Sequence, residues 1–180
     1  MAKEAKIKHD IPLPDAVTAS YEDTILHISG ENGELKRVFS HPDFKFSVKD
    51  NKISIHCFKF RRKHKALLGT FVAHIDNMIR GVTKGFEYKM KTVYSHFPIK
   101  TNVEGNTFII QNFLGERSPR KALILEGVTV EAKGDDVTVK GTDKEKVGQT
   151  VANIERATSV KRRDIRVFQD GIYRISRGGA

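Results

Sequence analysis

The chain has 180 residues, and 32 Lys and Arg against 22 Asp and Glu give it a formal charge of +10 at neutral pH. At 38% hydrophobic and 30% charged it has the composition of a folded protein, and it contains no apolar run near the roughly 18 residues of a membrane span. Its one cysteine, Cys57, excludes an internal disulfide and a thiolate metal cluster.

The opening MAKEAKIKHD has no apolar h-region and is not expected to act as a secretory signal. From Ile25, ILHISGENGELKRV reads as strand, Gly-Glu loop, strand. FKFSVKDNKISI, Phe44 to Ile55, alternates apolar residues at Phe44, Phe46 and Val48, turns at Asp50-Asn51, and alternates again at Ile53 and Ile55. That is a hairpin. The basic run KFRRKHK follows, with Lys59, Arg61, Arg62, Lys63 and Lys65. Leu67, Phe71, Ile75, Met78 and Val82 then recur at helical spacing.

The same order returns. FIIQNFLGERSPRKAL from Phe108 is again strand, Gly-Glu loop, strand, and VTVEAKGDDVTV, Val128 to Val139, is again a hairpin turning at Gly134-Asp135. Thr142 and Glu145 have capping-box spacing ahead of a second amphipathic stripe at Val147, Val151, Ile154 and Ala157. LGTFVAHI from Leu68 and VGQTVANI from Val147 share four of eight positions. The shared Gly69 with Gly148, and Ala73 with Ala152, are expected to let each helix lie close to its sheet. Three correspondences in one order predict two tandem duplicated α+β domains, residues 1–82 and 83–180, each an antiparallel or mixed β-sheet packed on one long α-helix.

The copies diverge in charge. The first Gly-Glu loop, Gly30 to Arg37, has a net charge of zero, whereas Gly115 to Lys121 has +2 from Arg117, Arg120 and Lys121 against Glu116, and Pro119 stiffens it. From Arg156 onward, seven cations (Arg156, Lys161, Arg162, Arg163, Arg166, Arg174, Arg177) face two acids, Asp164 and Asp170, for a net of +5. They alternate with Ile165, Val167, Phe168, Ile172 and Tyr173, which makes an ordered scaffold with projecting arginines. Asp164 and Asp170 read as ion-pair partners of these arginines, and Asp170-Gly171 as a turn. Arginine favours bidentate phosphate contact and stacking on bases. The Lys59 to Lys65 run admits two readings. Cations at a helix N-terminus cost a few tenths to about 1 kcal/mol each unless an anion fills the site, or they precede the helix and are simply solvated.

NMIRGVTKGFEYKMKTVYSHFPI (Asn77 to Ile99), NFLGE (Asn112 to Glu116) and DIRVFQDGIY (Asp164 to Tyr173) resemble the archaeal and eukaryotic form of ribosomal protein six of the large subunit, a universal family. The resemblance covers essentially the whole chain. Towards bacterial members it is thinner, because little beyond Gly171-Ile172 matches their ending. It implies a structural ribosomal constituent in the cytoplasm, bound to large-subunit rRNA near the base of the factor-recruiting stalk and the sarcin-ricin region. Neighbouring ribosomal proteins, and translational GTPases nearby, are the other partners implied. Most rRNA contact is expected from the C-terminal domain, in line with its charge. The expected footprint is Arg117, Arg120, Lys121, Lys161, Arg162, Arg163, Arg166, Tyr173, Arg174 and Arg177, with Lys59, Arg61, Arg62, Lys63 and Lys65 as a secondary patch.

No enzymatic site, cofactor, metal, DNA or membrane partner is expected. The seven histidines form no His-Glu-x-x-His, GVTKGF lacks the lysine-hydroxyl ending of a Walker loop, and no Gly-x-Ser-x-Gly elbow occurs. A processing enzyme needs paired carboxylates or a metal beside the basic face, and a membrane binder needs an amphipathic helix with its apolar side exposed. Cys57 alternates with Ile53 and Ile55 and reads as a core residue. His96 reads as structural, and Tyr94 and Phe97 as buried rather than stacked on bases.

Overall fold

A computed structural model describes residues 7–49, 51–59 and 61–177, with the side chain of Arg177 outside the described part. The chain divides into two compact units, Met1–Lys84 and Gly85–Ala180. In unit 1 the strands are β1 (Ile7–Pro12), β2 (Thr18–Glu22), β3 (Ile25–Gly30), β4 (Gly33–Val38), β5 (Phe44–Lys49) and β6 (Lys52–Cys57), followed by α1 (Arg62–Thr83). In unit 2 they are β7 (Phe86–Val93), β8 (Lys100–Glu104), β9 (Thr107–Gln111), β10 (Arg120–Leu123), β11 (Val128–Lys133) and β12 (Asp136–Gly141), then α2 (Lys144–Ala157) and β13 (Gly171–Arg177).

The sequence reading of one sheet per domain needs correction, because each unit carries two. Unit 1 has the orders β1-β6-β5 and β2-β3-β4, and unit 2 has β10-β9-β8 and β11-β12-β7-β13, all with antiparallel pairing. The strand–loop–strand segments at Ile25 and Phe108 pair within sheets of their own, and each turns its apolar face into the same core as the hairpin that follows it. Leu26 and Ile28 join the core of unit 1, and Phe108 and Ile110 that of unit 2.

Period-two alternation sets which face of each strand is buried. In β7, Phe86, Tyr88, Met90 and Thr92 are buried while Lys89, Lys91 and Val93 are exposed. The β5–β6 hairpin pairs Phe46 with Ile55 and Val48 with Ile53, and Asn51 takes the positive φ of 56° its turn requires. Asp50, the other expected turn residue, lies outside the described residues. Cys57 is fully buried. On α1 the buried stripe is Leu68, Ile75, Met78, Ile79 and Val82, and on α2 it is Val147, Thr150, Val151 and Ile154.

Two expectations about the helices fail. The residue that caps α2 is Asp143, not Thr142. Asp143 has extended backbone (φ −94°, ψ 112°), and its carboxylate accepts the Glu145 N–H at 2.8 Å. A carboxylate is the stronger acceptor there, and it also faces the positive end of the dipole.

Nor do the shared small residues bring helix to sheet. A Cβ on Gly69 or Gly148 would meet nothing within 4 Å, and Ala73 is exposed. Close approach is made instead from the sheet side. A Cβ on Gly30 would lie 2.9 Å from the Val82 side chain and carbonyl, and one on Gly141 would lie 2.7 Å from Val147. The glycines that matter sit at strand ends.

Tyr94 and Phe97 are exposed at 38% and 45%, not buried as expected. They fall after β7 has ended, in a stretch without strand pairing that leaves both rings on the surface.

Candidate nucleic-acid interface

Four cations of unit 2, Arg120, Lys121, Arg156 and Lys161, come together where β10, the last turn of α2 and the chain after it meet. Arg120 is the centre. It is the first residue of β10, and its side chain is only 23% exposed. Nε and Nη2 donate to the Glu116 carboxylate at 2.8 and 2.6 Å, and Nη1 donates to the Ala157 and Ser159 carbonyls at 2.9 and 3.0 Å. Its guanidinium carbon stands 4.2 Å from the centroid of the buried Phe113 ring. The Arg120 hydrogen bonds hold the Glu116 carboxyl below its ordinary range. Arg120 therefore ties the Gly-Glu loop to the C-terminus of α2.

Beside it lies a recess of about 310 Å³ lined by Arg120, Lys121, Arg156, Ala157 and Lys161. Four of its five lining residues are cations and none is an acid. Arg156, which the sequence reading placed in the tail but not in the footprint, is one of them. No local pattern in the sequence marks it. Asn153, three residues earlier, donates to the Leu123 carbonyl of β10, so that side of the last turn faces the basic strand.

Residues 159–170 form a locally bonded loop. Asp164 accepts from the Arg166 backbone at 2.9 Å and from its guanidinium at 3.2 and 2.9 Å. The Arg166 guanidinium lowers the Asp164 carboxyl and is itself raised by it. The Asp164 carbonyl receives the Val167 and Phe168 N–H groups. Arg163 lies 4.6 Å over the Phe168 ring. Arg162 takes a positive φ of 58°, which few non-glycine residues adopt. Of the apolar residues between the arginines, Ile165 and Val167 are exposed at 69% and 72%, whereas Ile172 is buried in the core of unit 2.

Among the described residues Asp170 has no arginine partner, contrary to expectation. It is buried, and its carboxylate accepts the Ser95 N–H at 2.8 Å. A carboxylate satisfied by a backbone donor anchors the start of β13 instead. Three further bonds complete the anchor. Ile172 N–H donates to the Thr158 hydroxyl at 3.1 Å, Arg174 N–H to the Glu155 carboxylate at 3.1 Å, and the Tyr173 hydroxyl to the Gln169 carbonyl at 3.1 Å.

The expected footprint thus falls into three groups. Arg120, Lys121 and Lys161 line the recess with Arg156. Arg162, Arg163 and Arg166 project from the loop, all exposed. Tyr173 and Arg174 are exposed on β13, while the side chain of Arg177 lies outside the described residues. Arg117 is exposed in the Gly-Glu loop and does not line the recess.

The run in unit 1 is arranged differently. Arg62, Lys63 and Lys65 lie in the first turn of α1, after an N-cap, Arg61, that makes no side-chain capping bond. The sequence holds no acid between Asn51 and Ile75, yet the fold brings one in from the segment before β5. Asp43 meets Lys59 at 2.6 Å and the buried His64 at 3.1 Å. Hydrogen bonds from Lys59, then His64, pull the Asp43 carboxyl down to about 2. Arg61, Arg62, Lys63 and Lys65 are exposed.

Among the described residues no group of three or more His, Cys, Asp or Glu could hold a metal ion, and no helix is long and apolar enough to cross a membrane.

Comparison with known proteins gives one consistent answer. The family model described as Ribosomal protein L6 matches twice, over residues 13–85 and 97–171. Three relatives carry the name large ribosomal subunit protein uL6. That of Methanothrix thermoacetophila is 47% identical over 167 residues, covering 93% of this chain and 95% of the relative. That of Methanobrevibacter smithii is 46% identical over 177 residues, covering 98% and 99%. That of Aeropyrum pernix is 48% identical over 174 residues, covering 96% of each. Two repeats of one model and near-half identity along almost the whole length lead to one conclusion: the chain belongs to the ribosomal protein L6 family.

Proposed function

We propose that the chain is a structural constituent of the large ribosomal subunit in the cytoplasm, and that it holds large-subunit rRNA mainly through unit 2. The observation that carries this reading is the acid-free recess, where cations from β10, α2 and the following chain point at one space. Such convergence is costly in isolation, because like charges repel, and a polyanion offsets that cost.

The mechanism is backbone recognition. Double-helical RNA hides its base edges in a deep groove, so a protein docks on shape, phosphates and 2′-hydroxyls. Lys121, Arg156 and Lys161 reach phosphates from the recess, with Arg120 supplying charge from its floor. Arg162, Arg163 and Arg166 extend the contact along the loop, Tyr173, Arg174 and Arg177 along β13, and Arg117 along the Gly-Glu loop. Lys59, Arg61, Arg62, Lys63 and Lys65 form a secondary patch on unit 1, weakened by the Asp43 counter-charge. The binding region lies near the base of the factor-recruiting stalk and the sarcin-ricin region. There the protein also touches neighbouring ribosomal proteins and supports the binding of translational GTPases.

Filter binding of the full chain to deproteinised large-subunit rRNA tests the reading. Six to ten phosphate contacts predict a loss of about 10³ to 10⁵ in affinity between roughly 50 and 200 mM salt, taking duplex DNA as the guide. An affinity indifferent to salt overturns it.

A further inference from the structure

The recess is more than one part of a basic surface. We infer that it is a seat for a single RNA backbone phosphate, with Arg156 as its principal ligand, an inference that rests on the rRNA-binding reading above.

The last carbonyls of an α-helix concentrate about half a negative charge, which repels a phosphate. The last turn of α2 ends beside this recess, and its Ala157 carbonyl, with that of Ser159 just beyond, accepts both bonds of Arg120 Nη1. The same guanidinium engages Glu116, the nearest acid of the Gly-Glu loop. One side chain therefore masks the acceptors that would turn an anion away. Arg120 is a positioning residue, since its donors are already committed.

Arg156, Lys121 and Lys161 are exposed, and each comes from a different element: α2, β10 and the loop after the helix. Charges on separate elements cannot drift apart together, so the space between them stays positive. A planar guanidinium binds two phosphate oxygens at once, while the two ammonium groups supply compact point charges. That is the complement of one phosphodiester with its two free oxygens.

Thr158 binds Ile172 and Glu155 binds Arg174 on either side of Arg156, so the end of α2 is fastened to β13. Arg156 is presented from a fixed backbone, and ordering it on binding costs only its own side-chain entropy.

The experiment compares the full-length wild type with the double variant R156Q/K161Q, and with K133Q, which alters an exposed cation of unit 2 outside the recess. Two readouts are taken on deproteinised large-subunit rRNA: the salt dependence of binding, and interference by ethylation of single phosphates. Both positions in the recess are surface side chains, and thermal melting checks that the double variant is folded. One seated phosphate predicts that the double variant lowers the salt slope by about 1, and that one phosphate whose ethylation impairs wild-type binding becomes silent. K133Q keeps that phosphate sensitive. Wild-type binding with an interference pattern unchanged in R156Q/K161Q overturns the seat and leaves the rRNA reading intact. Salt-indifferent binding by the wild type overturns both.

Discussion

Arg120 and Glu116, four residues apart, are joined by a two-pronged contact of 2.8 and 2.6 Å, although no helix connects them. The stretch between them holds Arg117, Ser118 and Pro119, so the fork closes a loop that would otherwise have only Pro119 to stiffen it. Because the same guanidinium also binds Ala157 and Ser159, it joins two segments that lie 37 or more residues apart in the chain.

That double duty makes Arg120 a stability residue. R120A loses two charge-assisted contacts, two helix-end bonds and the stacking on Phe113, and is expected to destabilise unit 2 by about 2 to 4 kcal/mol. R120K keeps the charge but not the fork, and should recover less than half. Urea unfolding of the three proteins measures this, and a cost for R120A under about 1 kcal/mol would falsify the assignment.

The glycine contacts make a paired test. G141A drives a methyl to 2.7 Å from Val147 and 3.0 Å from the Gly127 carbonyl, and should cost about 1 to 3 kcal/mol. G69A and G148A enter open space in helix interiors and should each stabilise by about 0.5 to 1 kcal/mol. Melting curves that rank the three in the opposite order would restore the idea that the shared helical glycines serve packing.

The cap of α2 separates two neighbouring residues. D143A removes the acceptor for the Glu145 N–H and should cost about 1 kcal/mol, whereas T142A should change stability by less than about 0.5 kcal/mol. Equal costs in equilibrium denaturation would return part of the cap to Thr142.

Acid should act on unit 1 through Asp43. Its carboxyl lies at about 2 in the fold against an ordinary 3.8, so its contribution to stability is full above about pH 4 and is lost as pH falls through 2. D43N lacks that contribution at every pH. The gap between wild-type and D43N urea midpoints should therefore be widest near neutrality and close between pH 4 and pH 2. A gap that stays constant over that range means the Lys59 and His64 contacts carry no linkage.

Much of the fold can be read in the residues. Alternation at Phe44, Phe46 and Val48 and again at Val128 and Val130 marks the two hairpins, and the helical stripes mark α1 and α2, because burial of one face imposes its period on the chain. What local pattern cannot carry is pairing across distance. His64 and Asp43 meet over 21 residues, and Asp170 and Ser95 over 75, and neither partner's neighbourhood announces the other. Asp170 reads as an arginine partner because charge complementarity is easy to find in a sequence, while a backbone donor such as Ser95 N–H leaves no trace there. Arg156 is hidden for a related reason. A cation at the end of an amphipathic helix already suits the dipole, and only the position of β10 turns it toward a shared space.

The register of β13 against β7, with Gly171 opposite Val93 and Tyr173 opposite Lys91, makes neighbours of the first and last strands of unit 2. A ribbon emerging from its N-terminal end can complete β11 and β12 and wind α2, yet it still shows a bare edge along β7 until its final strand arrives. Without β13 that edge would be a sticky seam open to other chains, so the strand fastens the unit as a tongue fastens a clasp.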